Sequence, residues 1–116
     1  MQNPSQSALF GATGAVGKAL AAELAKQNRS FRVVGRSEDR LRRDFHTYEP
    51  LVQYCAADLS IPADAARAAS GVDTVFYTVG VPYHQFEQHP KLTKIALDAA
   101  AAAGVRHYAH VSTVYP

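Results

Sequence analysis

Short apolar runs alternate along this chain with longer stretches in which apolar residues recur every three or four positions. Ser7 to Phe10 is a brief apolar run that ends in a glycine-rich turn. From Val16 to Gln27, Val16, Leu20 and Leu24 recur at helical spacing among several alanines, the pattern of an amphipathic helix. Phe31 to Val34 predicts a second strand, closed by Gly35, and Glu38 to Phe45 a short charged helix carrying Leu41 and Phe45. Leu51 to Cys55 predicts a third strand, and Pro62 suits the first turn of a helix running to Ala69. Thr74 to Val79 predicts a fourth strand. Gln88 to Ala103 reads as a helix rich in alanine that stops at Gly104, and His107 to Ser112 as a fifth strand.

Strict alternation of this kind argues for an α/β fold: a doubly wound parallel sheet of about five strands, with helices on both faces and right-handed crossovers. No repeat, low-complexity linker or internal boundary interrupts it, so residues 1–116 are read as one domain. Apolar residues make up 47% and charged residues 19% of the 116, the balance of a soluble globular chain. A net charge of +2 is too small to argue for nucleic acid or a charged membrane surface as partner. Cys55 is the only cysteine, which excludes an internal disulfide and any multi-cysteine metal site, and no metal is expected. No apolar run approaches the roughly 18 residues of a spanning helix. The first seven residues lack the pattern of a secretion signal, so a cytoplasmic location is expected.

The turn after the first strand carries the chemistry. Gly11, Gly14 and Gly17 meet the spacing G-x-x-G-x-x-G immediately before an amphipathic helix. Glycine permits the tight reversal and lets backbone approach a pyrophosphate with no Cβ in the way. The helix start adds unpaired N–H groups and the positive end of its dipole. Thr13, Gly14, Ala15 and Val16 are thereby the expected backbone contacts to a dinucleotide pyrophosphate. A Walker A loop is excluded, because the Gly17-Lys18 pair has Ala12 where that motif needs glycine and Ala19 where it needs Ser or Thr.

Gly11 to Gly17 reads GATGAVG, and with Val33-Val34-Gly35-Arg36-Ser37, Asp58-Leu59, Asp73 to Tyr77, Ala103 to Tyr108 and Val111-Ser112-Thr113 the chain resembles the short-chain dehydrogenase/reductase superfamily. The match is to its extended and atypical members, which include the NAD-dependent epimerases and dehydratases, and to their N-terminal half. The resemblance implies a Rossmann-type sheet that binds a nicotinamide dinucleotide. The second strand should deliver the residue that reads the adenosine ribose. It ends in Arg36 and Ser37, which suit the 2′-phosphate of NADP and favour NADP over NAD. The competing reading leaves Arg36 solvated and has Glu38 or Asp39 serve NAD. Asp58 and Leu59 occupy the family's adenine position, although an Asp there could equally cap the next helix. Thr78, Val79 and Gly80 end the fourth strand at the switch point, where Gly80 would let backbone lie against the nicotinamide-side ribose. His84 and His89 follow in the loop facing substrate, where exposed histidines are more often solvated than catalytic.

The family's reaction uses a Ser or Thr at the end of the fifth strand, then a Tyr and a Lys spaced Y-x-x-x-K. Thr113 falls at the Ser/Thr position with Ser112 beside it, and a one-residue slip would exchange them. No Y-x-x-x-K occurs in these residues. The expectation is therefore the cofactor-binding part of an epimerase, dehydratase or reductase, incompetent in catalysis by itself, whose small-molecule substrate is chosen elsewhere. The alternatives are a non-catalytic nucleotide-binding or redox-sensing module and a domain with a vestigial crevice. An exposed sheet edge and unprotected helix faces also predict self-association.

Overall fold

The computed structural model describes residues 6–78, 80–82, 89–110 and 113–115. Strands β1 (Ser7–Phe10), β2 (Phe31–Gly35), β3 (Val52–Ala56), β4 (Thr74–Tyr77), β5 (Gly80–Pro82), β6 (His107–His110) and β7 (Thr113–Tyr115) alternate with helices α1 (Ala15–Lys26), α2 (Glu38–Phe45), α3 (Pro62–Ala69) and α4 (His89–Ala102). A single 3₁₀ turn, His46–Tyr48, extends α2. The main sheet is entirely parallel, in the order β3-β2-β1-β4-β6. The chain reverses direction of winding between β1 and β4, which makes their carboxyl ends the switch point where open α/β sheets bind ligand.

Strand residues alternate between two cores, which is why the strands read as unbroken apolar runs. Leu9, Phe31, Val33 and Val52 point to one face, under Ala21 and Leu24 of α1 and Leu41 and Phe45 of α2. Ala8, Phe10, Val34, Cys55, Val75 and Tyr77 point to the other, under alanines of α3 and α4. The fold is thus doubly wound, as the alternation predicts. Arg32 links the layers: its guanidinium donates to the carbonyls of Ala68 (2.7 Å) and Ser70 (2.8 Å), tying β2 to the end of α3.

Two features differ from expectation. The fourth predicted strand runs on to Val79, whereas β4 ends at Tyr77, and the last two residues of the fifth, Val111 and Ser112, lie outside the described residues. Each pair then resumes as a separate parallel ladder, β5 with β7, in which Gly80 faces Thr113 with the same residue offset that sets Tyr77 opposite His110. The second difference lies in α1, whose buried face is Gly17, Ala21 and Leu24, with Val16 and Leu20 only half-buried. A Cβ added to Gly17 would stand 2.6 Å from the carbonyl oxygen of Ala12, so the helix sits too close to the turn for larger residues to face inward there.

Candidate functional site

The glycine turn leaves β1 at Gly11, whose φ of +82° only glycine adopts readily. Hydrogen bonds from three sides then hold the turn. The Ala12 N–H donates to Val34 O of β2 (3.2 Å), and the Gly14 N–H donates to Gly11 O (3.3 Å). From the β4 side, the Thr78 N–H donates to Phe10 O at 2.9 Å. The Thr78 hydroxyl lies 2.9 Å from Phe10 O and 3.1 Å from Gly11 O. Thr78 itself is buried.

Gly14 is the N-cap of α1, and no side chain caps it. The first turn of α1 also carries no acidic residue, whereas α2 is capped by Ser37 with Glu38 and Asp39 following, and α3 has Asp64 in its first turn. The N–H groups of Ala15, Val16 and Gly17 therefore open α1 with no acidic residue in their own turn, which favours an incoming anion. Gly14 and Ala15 are exposed and Thr13 is half-buried. A Cβ built on Gly14 would meet just one protein atom, Gly11 O at 3.7 Å. Packing does not require glycine at this position, and the room it leaves lies where a pyrophosphate would approach. The residues present fit a dinucleotide.

Arg36 stands exposed at the carboxyl end of β2, beside Ser37. The Ser37 hydroxyl accepts the Arg40 N–H at 3.3 Å as the cap of α2, leaving its own proton to donate. Glu38 turns back along its helix to Arg42, with Nε to Oε2 at 3.0 Å, so its carboxylate is matched within α2. After β3, Asp58 does not cap α3, whose N-cap is Ile61. Its Oδ1 instead accepts the Ser60 hydroxyl (2.6 Å) and N–H (2.9 Å), closing a tight loop. The Ser60 hydroxyl, then its N–H, and further off the charge of Arg36 hold the Asp58 carboxyl below the usual range. Leu59, half-buried, packs against the alanine-rich core.

Asp64 and Arg67, one turn apart on α3, brace this loop and escape the sequence reading. Asp64 accepts the Asp58 N–H at 2.8 Å, and Arg67 donates to Ala56 O at 2.8 Å. Their spacing on a helix just after Pro62 was the available signal, but i,i+3 charge pairs are common on any exposed helix.

Toward β6 the geometry is apolar and aromatic. Tyr77 packs edge-on to His110 at 5.1 Å between ring centroids and stacks with Tyr108 at 6.4 Å. Burial pushes both phenols up, Tyr108 to about 12, so neither is prepared to release a proton near neutral pH. Gly80 opens β5 and Thr113 opens β7, opposite one another. Val79, Ser112 and His84 lie outside the described residues, as do the side chains of Thr113 and His89. Among the described residues no group of His, Cys, Asp or Glu side chains converges as a metal site would require. No described helix is long and apolar enough to cross a membrane.

The open first turn of α1 and the glycine turn lie beside the switch point of the sheet, and the NAD(P)H-binding family matches over residues 11–115. The chain belongs to that NAD(P)H-binding family. The match spans the glycine turn, the ends of β2 and β3, and the β5–β7 ladder, so it encloses every site residue named from the sequence. The cofactor of an NAD(P)H-binding domain is a nicotinamide dinucleotide.

Solved structures agree on the fold. Pen from Bacillus thuringiensis superposes with a TM-score of 0.81 at 21% identity, covering 93% of this chain and 38% of that one. A Rossmann-fold NAD(P)-binding family protein from Shigella flexneri gives 0.76 at 19%, covering 91% and 50%. An anaerobillin reductase from Escherichia coli O157:H7 gives 0.74 at 21%, again covering 91% and 50%. The chain thus spans half or less of the length of each of these proteins. No curated protein matches it in sequence. The expected Rossmann-type domain for a nicotinamide dinucleotide is borne out by the family match and by the shared fold.

Proposed function

We propose that this chain is the cofactor-binding part of an NADP-linked oxidoreductase of the reductase, epimerase or dehydratase kind. The observation that carries the reading is the uncapped, non-acidic first turn of α1 behind Gly11, Gly14 and Gly17. Backbone of Thr13 to Gly17 holds the pyrophosphate. Arg36, exposed one strand away, takes the 2′-phosphate, with the Ser37 proton as a second donor. The pairing of Glu38 with Arg42 supports this choice, because it engages one of the two carboxylates that the NAD alternative would use. Asp58 and Leu59 border the adenine, and Gly80 approaches the nicotinamide side. The bound nicotinamide supplies the hydride. A small-molecule substrate and its proton donor meet that ring near Ser112 and Thr113, and the anaerobillin reductase among the structural neighbours supports reduction as one outcome. The buried thiol of Cys55, which forms no disulfide, suits the reducing cytoplasm, where we place the protein.

Isothermal titration of the purified chain tests this reading. NADPH should bind at least tenfold more tightly than NADH, about 1.4 kcal/mol, and Arg36→Ala should abolish the difference while leaving NADH affinity unchanged. Absence of binding by any nicotinamide dinucleotide to the folded chain would sink the proposal. A preference for NADH would instead move the ribose contact from Arg36 to Asp39. Self-association of the isolated chain is also expected, through the β6 edge of the sheet and Leu97, which is 48% exposed on α4. A strictly monomeric mass by light scattering would contradict it.

A further inference from the structure

We infer that Thr78 is a positioning residue for the phosphate turn, acting through carbonyl oxygens rather than on the cofactor. The inference rests on the dinucleotide reading of that turn and adds the device that holds it in shape. The Thr78 side chain is 4% exposed, and its hydroxyl lies within hydrogen-bond distance of two successive carbonyls, Phe10 O at 2.9 Å and Gly11 O at 3.1 Å. A hydroxyl carries one proton, so these two acceptors share or alternate in receiving it. Phe10 O already accepts the Thr78 N–H at 2.9 Å, as the last rung of the β1–β4 ladder. Gly11 O already accepts the Gly14 N–H at 3.3 Å, the contact that sets the N-cap of α1.

Thr78 therefore adds a side-chain tie between the end of the sheet and the turn that follows it. On one side is the end of the sheet. On the other is the peptide whose orientation decides where Gly14 stands and where the first N–H groups of α1 point. Gly11 has a positive φ and, like any glycine, a wide choice of backbone conformations, so its carbonyl is free to swing unless something fixes it. On the β2 side the turn is tied through a single peptide N–H, from Ala12 to Val34 O at 3.2 Å. The Thr78 hydroxyl supplies the matching tie from β4, and it does so from a buried position where an unmade hydrogen bond is costly. Its hydroxyl being committed to protein carbonyls, its effect on the cofactor is indirect. That effect falls on the pyrophosphate and not on the adenosine end, which is held from β2 and β3.

The experiment compares two ligands on the purified chain. NADPH spans the turn, whereas adenosine 2′-phosphate reaches the Arg36 and Asp58 end but has no pyrophosphate. Thr78→Val keeps the shape and removes the hydroxyl. It is expected to weaken NADPH about tenfold, to leave adenosine 2′-phosphate within twofold of its original affinity, and to speed amide exchange at Gly14. Thr78→Ser, which restores the hydroxyl, should recover NADPH binding. If the valine variant yields no folded chain by circular dichroism, Thr78→Ala serves instead, since it places no methyl against the two carbonyls. Equal weakening of both ligands would show a general structural role and overturn the inference, as would unchanged NADPH affinity in Thr78→Val. Failure of the unsubstituted chain to bind NADPH is a different result, and one that overturns the dinucleotide reading itself.

Discussion

Gly17→Ala should cost this chain about 3 kcal/mol of stability, the upper end of what overpacking usually costs. The new Cβ would lie 2.6 Å from Ala12 O, 2.7 Å from Ala12 Cα and 2.8 Å from Ala12 C. All three are backbone atoms of a residue that is itself fully buried, so no side-chain rotation relieves the contact. Alanine's better helix propensity returns only about 1 kcal/mol and cannot offset a backbone clash. The helix must instead tilt away from the turn, which strips contacts from Ala21 and Leu24 further along the same face. For a domain of this size the melting temperature should fall by roughly 12 °C, measured by circular dichroism. A melting temperature within about 2 °C of the unsubstituted chain would mean that α1 is less tightly seated than the distances indicate.

Gly14→Asp should do the opposite to stability and more to function. Gly14 has φ −77° and ψ 171°, an extended conformation open to any residue and the one an N-cap requires. The space beside it is free, and no side chain caps the helix. Aspartate there would accept an N–H of the first turn and face the positive end of the helix dipole. Together these contributions reach up to about 1 kcal/mol of added stability. The same carboxylate would occupy the anion position and repel a pyrophosphate, so dinucleotide affinity should drop at least a hundredfold, about 2.7 kcal/mol. Titration and thermal unfolding on the same preparation read both effects. A variant that melts higher and no longer binds would locate the site at this helix start. Retained binding would place the pyrophosphate elsewhere.

The contrast between these two glycines was hidden in the sequence, where both simply satisfy the motif. One is held by packing, and the other stands in open space. The doubly wound fold was legible because parallel strands buried on both faces are continuous apolar runs, and their alternation with helices leaves few topologies open. Val33 and Val34 show this: they are adjacent, both fully buried, and belong to opposite cores. The glycine turn was legible for a similar reason, since a positive φ and a close helix approach leave glycine little competition.

Where the sequence reading missed, the deciding contacts are set by three-dimensional approach and not by any periodicity along the chain. The burial of α1 follows Gly17 and not Val16 because of a distance to Ala12, which no periodicity encodes. Asp58 closes onto Ser60 and takes its support from Asp64, although the same residue could have capped a helix. By itself, then, the sequence determined the alternation of elements, the parallel sheet and the glycine turn, because local periodicity and backbone sterics are written into neighbouring residues. Only the tertiary structure decided which glycine is packed and which is open, and which hydroxyl and carboxylates brace the site. Those roles depend on hydrogen bonds such as that from Thr78 to Phe10, whose partners meet only once β4 has docked against β1.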